Sequence, residues 1–150
     1  MSFSYVVIPL LGDEAFTHWL GEFGIQPPPG ATSRLPSVRE LRGTLNQLDG
    51  FCSEVSIGSP WWDADIFACT QSEKRWEGEY TTLWVRNFDG NEEIPVDFRF
   101  RKGSARLVLR ILRRLTQICG PLVVLLDTCC IPILVTPETA IDLAHQVWDA

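Results

Sequence analysis

Two stretches of the chain gather side chains able to bind or react. The first is Trp61-Trp62-Asp63-Ala64-Asp65, followed at short range by Trp76, Glu77 and Glu79. Aromatic anchors supply large contact area at little entropic cost, and carboxylates beside them select a cationic protein surface. Trp61, Trp62, Asp63, Asp65, Glu77 and Glu79 are therefore the candidate partner-binding residues, and a basic protein is the expected partner. The plainer reading is a tryptophan pair partly tucked into the core with acidic neighbours in water. Two adjacent tryptophans in one extended segment cannot face the same side, so at least one is exposed or covers a second layer.

The second stretch lies between Asp97 and Asp127. It has no acidic residue and seven basic ones: Arg99, Arg101, Lys102, Arg106, Arg110, Arg113 and Arg114. Of 13 basic residues 6 lie elsewhere with all 19 acidic ones, so the formal charge is +7 here and 6 − 19 = −13 in the remainder, behind a net of −6. Guanidinium groups pair bidentately with phosphate and carboxylate. Arg99, Arg101, Arg106 and Arg110 are thus candidate anion ligands, and convergence on a concavity is what that role predicts. The plainer reading is a solvated helix face paired with the acidic remainder. The overall acidity works against non-specific nucleic-acid binding. Pairing of basic and acidic faces between copies would give a salt-sensitive homodimer.

Little else offers chemistry. Asp63 with Asp65, and Glu92 with Glu93, are carboxylate pairs with no third metal ligand at useful spacing. His18 and His145 fall on expected helices, where a base needs a nucleophile brought to it by the fold. Five cysteines, Cys52, Cys69, Cys119, Cys129 and Cys130, form no Cys-x-x-Cys pattern and read as reduced, mostly buried thiols. Adjacent Cys129 and Cys130 sit in an expected hairpin that points them apart. There is no glycine-rich phosphate loop, nucleophile elbow or zinc pattern. The expectation is a protein with no cofactor, no metal and no catalytic residues.

These groups are positioned by elements that the sequence punctuates clearly. A β-rich run over 3–11 precedes Asp13, the expected N-cap of a helix from Glu14 to about Phe23. Four prolines between Gln26 and Pro36 make a loop. Ser37 with Glu40 is a capping box for a helix carrying Val38, Leu41, Leu45 and Leu48. Residues 51–57 alternate as a strand, and 61–79 give no clear pattern. Residues 80–88 and 94–100 flank Asp89-Gly90 as a hairpin in which Val96, Phe98 and Phe100 share the core face, and Asp97, Arg99 and Arg101 a wet or partner-covered one. Ser104 opens the strongest helix, Ala105 to Cys119, stopped at Gly120-Pro121. Residues 122–126 and 131–135 form a second hairpin that reads as mid-sheet. Thr136-Pro137-Glu138 is the expected start of a last helix reaching about Trp148.

The chain of 150 residues suits one domain, 1–150, of the α+β class: a largely antiparallel sheet of about five or six strands with helices packed on it. No apolar run reaches the ~20 residues of a membrane-spanning helix. The apolar opening lacks a basic flank, so a cytoplasmic location is expected. A small, acidic α+β chain opening on Met1-Ser2-Phe3-Ser4-Tyr5, with a late Phe98-Arg99-Phe100 strand, a helix and a Gly120-to-Leu126 strand, resembles bacterial polymorphic-toxin immunity proteins in its pattern of elements. That resemblance implies a non-enzymatic module that binds and neutralises a cognate toxin domain. The rival expectation is a small-molecule or anion-binding protein, an enzyme among the options, built on the arginine cluster.

Overall fold

The computed structural model describes residues 3–58, 61–71 and 78–148. Seven strands form one antiparallel sheet: β1 (Ser4–Pro9), β2 (Phe51–Ile57), β3 (Trp62–Ala68), β4 (Tyr80–Val85), β5 (Phe98–Arg101), β6 (Leu122–Leu126) and β7 (Pro132–Val135), in the order β2-β3-β4-β5-β1-β6-β7. The helices are α1 (Glu14–Gly21), α2 (Val38–Asn46), α3 (Ala105–Cys119) and α4 (Ile141–Ala144). The α+β class holds, with a strand count slightly above five or six. The added strand is β3, in the stretch that gave no pattern.

Three helix starts follow their side chains. The Asp13 carboxylate accepts from the Phe16 amide at 2.7 Å, and the Ser104 hydroxyl accepts from Leu107 at 3.3 Å. Ser37 and Glu40 close their capping box reciprocally. The last helix differs from expectation. The Thr136 hydroxyl is spent on the Glu138 amide and Thr139 accepts from the Thr136 amide, closing a local turn, so α4 starts only at Ile141 without a side-chain cap and tightens into a 3-10 turn over His145–Trp148.

Alternation along the strands creates two unequal faces. Tyr5, Val7, Trp62, Ala64, Ile66, Leu83, Val85, Phe98, Phe100, Leu122 and Val124 turn to one side, where α2 and α3 bury them with Leu41, Leu45, Val108, Ile111, Leu112 and Leu115. On the other side α1 covers only the β1-β6-β7 half, packing Leu20, Phe16 and Trp19 against Ile8, Leu10, Val123 and Leu134. No described helix covers the β2–β5 half of that second face.

The β6/β7 hairpin is central only in part. β6 is buried on both sides, but β7 is the edge strand, as Pro132 opposite Leu125 allows. At the opposite end of β5 the chain turns sharply into α3. Gly103, at φ +88°, lies so close to the Tyr80 carbonyl that a Cβ has no room. The Tyr5 hydroxyl donates to the Gly103 carbonyl at 2.9 Å and the Thr81 hydroxyl to that of Lys102 at 2.9 Å, which fixes how α3 leaves the sheet.

Cys52 and Cys69 form a disulfide, correcting the expectation of reduced thiols throughout. Pairing of Phe51 with Ala68 brings the two strand ends together at a Cα separation of 5.1 Å, within bonding reach. Cys119 is buried as expected, whereas Cys129 and Cys130 are exposed in the β6–β7 turn, Cys130 with φ +55°.

Candidate functional site

The β2–β5 half of the second face, over which no described helix lies, is a two-dimensional lattice set by register, with Phe67 buried at its β3 end. Asp63 stands beside Trp84, and Trp84 beside Arg99; Glu54 stands beside Asp65, Asp65 beside Thr82, and Thr82 beside Arg101. All of these point away from α3, because their strand neighbours fill the core on the other side. Acidic β3, aromatic β4 and basic β5 thus lie side by side. Two guanidinium groups lie over the Trp84 ring, Arg101 3.9 Å and Arg86 5.1 Å from its centroid. The Thr82 hydroxyl donates to an Asp65 oxygen at 2.8 Å.

Asp63 differs from its neighbours electrostatically. Partial burial, and then the nearby Asp65 carboxylate, push its pKa above the ordinary aspartate value, while Arg101 pulls the other way. The native fold therefore disfavours the ionised form of Asp63.

The structure divides both residue sets expected from sequence. Asp63 and Asp65 lie on the open sheet face. Trp62 is fully buried beneath it, 0% exposed, so it is no contact residue; Trp61, 43% exposed, remains outside with its indole against Gly58. Glu79 is on the helix side, where its carboxylate accepts from the Ser104 hydroxyl at 3.3 Å. Glu77, like Trp76, lies outside the described residues. The proposed anion ligands part in the same way: Arg99 and Arg101 leave through the open sheet face, and Arg106 and Arg110 line a hollow on the helix side. The expected four-arginine convergence fails because β5 presents alternate residues away from α3.

Trp84 and Arg86 were absent from both sets. Their signal was present in the alternation of Thr81, Leu83 and Val85 with Thr82, Trp84 and Arg86, but their neighbours depend on the pairing of β4 with β3 and β5.

His18 stands on the exposed side of α1, 3.6 Å from Glu22. Cys119 is desolvated, which raises its thiol to about 11, opposite to an activated nucleophile. Among the described residues no group of three or more side chains could hold a metal ion, and no helix is long and apolar enough to cross a membrane. Comparison of the chain with protein-family models, with curated proteins and with solved structures gives no match.

Proposed function

We propose that this chain is a non-enzymatic protein-binding module that docks its partner on the open β2–β5 face. The carrying observation is that among the described residues no helix lies over the β2–β5 half of one sheet face, which holds a tryptophan beneath two arginines and a carboxylate whose charge the fold disfavours. Trp84 is the anchor, with Asp63, Asp65, Arg99 and Arg101 around it. Because acidic and basic residues interleave here, the fitting partner presents both signs around an apolar centre, rather than a uniformly basic surface. The toxin-immunity resemblance agrees with this mode, since stoichiometric occlusion needs a rigid surface and no reactive group. Under that reading the partner is a toxin domain and the chain acts in the cytoplasm of a bacterium. In that reducing compartment the Cys52–Cys69 pair is expected as free thiols, which thiol labelling in intact cells would check.

The test is affinity purification from the native cells with mass-spectrometric identification, then calorimetric titration of the identified protein against wild type, Trp84→Ala and Asp63→Lys. Loss of a central aromatic anchor costs about 2 kcal/mol or more, roughly a 30-fold rise in Kd. Affinity unchanged in both folded variants would reject the face.

A further inference from the structure

The helix side carries a second, independent site. Arg106, Arg110 and Arg113 follow one another along α3 and line a hollow of about 360 Å³ closed by Glu79 and by Ala140, Ile141 and Asp142 of α4 and its approach. This volume is at the small end of small-molecule sites. The three guanidinium groups are not equivalent. Arg106 is neutralised by Asp142 at 2.6 Å. Arg113 donates through Nη1 to the Thr139 carbonyl at 3.2 Å, an uncharged partner that orients the fork. Arg110 lies over the Phe51 ring, 5.2 Å from its centroid. Among the described residues neither Arg110 nor Arg113 has a carboxylate in ion-pair contact. Two guanidinium groups with no carboxylate in ion-pair contact among the described residues thus line one concavity whose charged residues sum to 3 − 2 = +1, and their paired donors suit a phosphate group.

The walls narrow the class. Glu79 and Asp142 repel an extended polyanion such as a nucleic-acid backbone, but accept hydrogen bonds from hydroxyl groups. Glu79 accepts from the Ser104 hydroxyl through one carboxylate oxygen, and among the described residues nothing pairs with the other. We propose that this hollow binds a small phosphate monoester bearing hydroxyl groups, its phosphate on Arg110 and Arg113 and its hydroxyls on Glu79. The proposal does not depend on the protein-binding face, which lies across the sheet.

The experiment is a ¹H–¹⁵N NMR titration with glycerol 3-phosphate, inorganic phosphate and glycerol at constant ionic strength. Saturable shifts confined to the Arg110 and Arg113 side chains and the amides of 139–142 are expected, with glycerol 3-phosphate tighter than phosphate and glycerol silent. Arg110→Gln, which breaks no hydrogen bond of the described fold, and Arg113→Lys, which keeps charge but loses the fork, should each weaken binding about tenfold. Glu79→Gln should reduce the preference for the ester. Shifts that do not saturate, that map to Arg99 and Arg101, or that survive Arg110→Gln would overturn the assignment.

Discussion

Asp63→Asn should stabilise the protein at neutral pH while weakening the function of the surface on which it stands. Asp63 and Asp65 are two residues apart on one strand, so their carboxylates emerge on the same side roughly 6.6 Å apart, from a rise of about 3.3 Å per residue. Two like charges at that spacing repel by about 0.6 kcal/mol at the dielectric of water and about 2.5 kcal/mol at an effective value near 20. Asp63 is half-buried and Arg101 opposes the repulsion, so the result falls low between these limits. We expect about 1 kcal/mol of stabilisation, or an increase in Tm of about 2–4 °C for a domain of this size. Asparagine preserves the shape of the side chain and removes only the charge.

The pH dependence identifies the cause. The folded-state pKa of Asp63 is raised above its unfolded value, so wild-type stability rises as pH falls through that interval, and the advantage of Asp63→Asn shrinks with it. The gain is largest where both states are ionised; below the unfolded value, where both states bind the proton, it is gone. Thermal unfolding followed by circular dichroism at a series of pH values measures this directly. A variant no more stable than wild type at pH 7, or equally favoured at pH 2, would refute the electrostatic reasoning.

Other expected outcomes follow from local geometry. Arg34 grips Glu40 with two contacts of 2.7 and 2.8 Å while the same carboxylate completes the capping box. This hydrogen-bonded pairing with Arg34 holds the Glu40 pKa down to about 2. Glu40→Gln should cost about 1–2 kcal/mol at pH 7, and the difference from wild type should close as pH falls from about 4.5 toward 2; a difference independent of pH would discard the ion pair as its source. Removing the Cys52–Cys69 bridge, which spans 17 residues, should lower stability by about 3 kcal/mol in oxidised protein. Dithiothreitol should bring wild type to the level of the Cys52→Ser/Cys69→Ser variant, and identical melting of oxidised and reduced wild type would show that the bridge contributes nothing.

Short-range signals were legible, and those that depend on register were not. Asp13, Ser37 with Glu40, and Ser104 announce helices because each cap is satisfied within three residues. Alternation in 98–101 correctly separates Phe98 and Phe100 from Arg99 and Arg101. The sequence Trp62-Asp63-Ala64-Asp65-Ile66 alternates too, but two aspartates lower its strand propensity and the tryptophan pair draws attention as an exposed loop. Only the pairing of β3 between β2 and β4 buries Trp62 and turns Asp63 outward. Thr136 carried a helix-start signal that its own hydroxyl diverted into a turn. Pro132 marked an edge strand within a run whose apolarity suggested the middle of the sheet.

The charge division in the sequence changes meaning once the chain folds. The block of +7 is not one patch: β5 sends Arg99 and Arg101 through one face of the sheet, and α3 carries Arg106, Arg110 and Arg113 on the other side of it. On the first face the arginines are interleaved with Asp63 and Asp65 from the acidic remainder; on the second, Arg106 pairs with Asp142, while among the described residues Arg110 and Arg113 have no carboxylate in ion-pair contact. A sheet and a packed helix layer, about 10 Å of protein, separate the two sets, comparable to the screening length at moderate salt. Substitutions at such a distance add unless a shared element links them. Arg101→Gln and Arg110→Gln should therefore act additively on stability, with each affecting binding only at its own site. A coupling energy above about 0.5 kcal/mol in that double-mutant cycle would mean that the arginines still act as one cluster, and the assignment of two sites would fail.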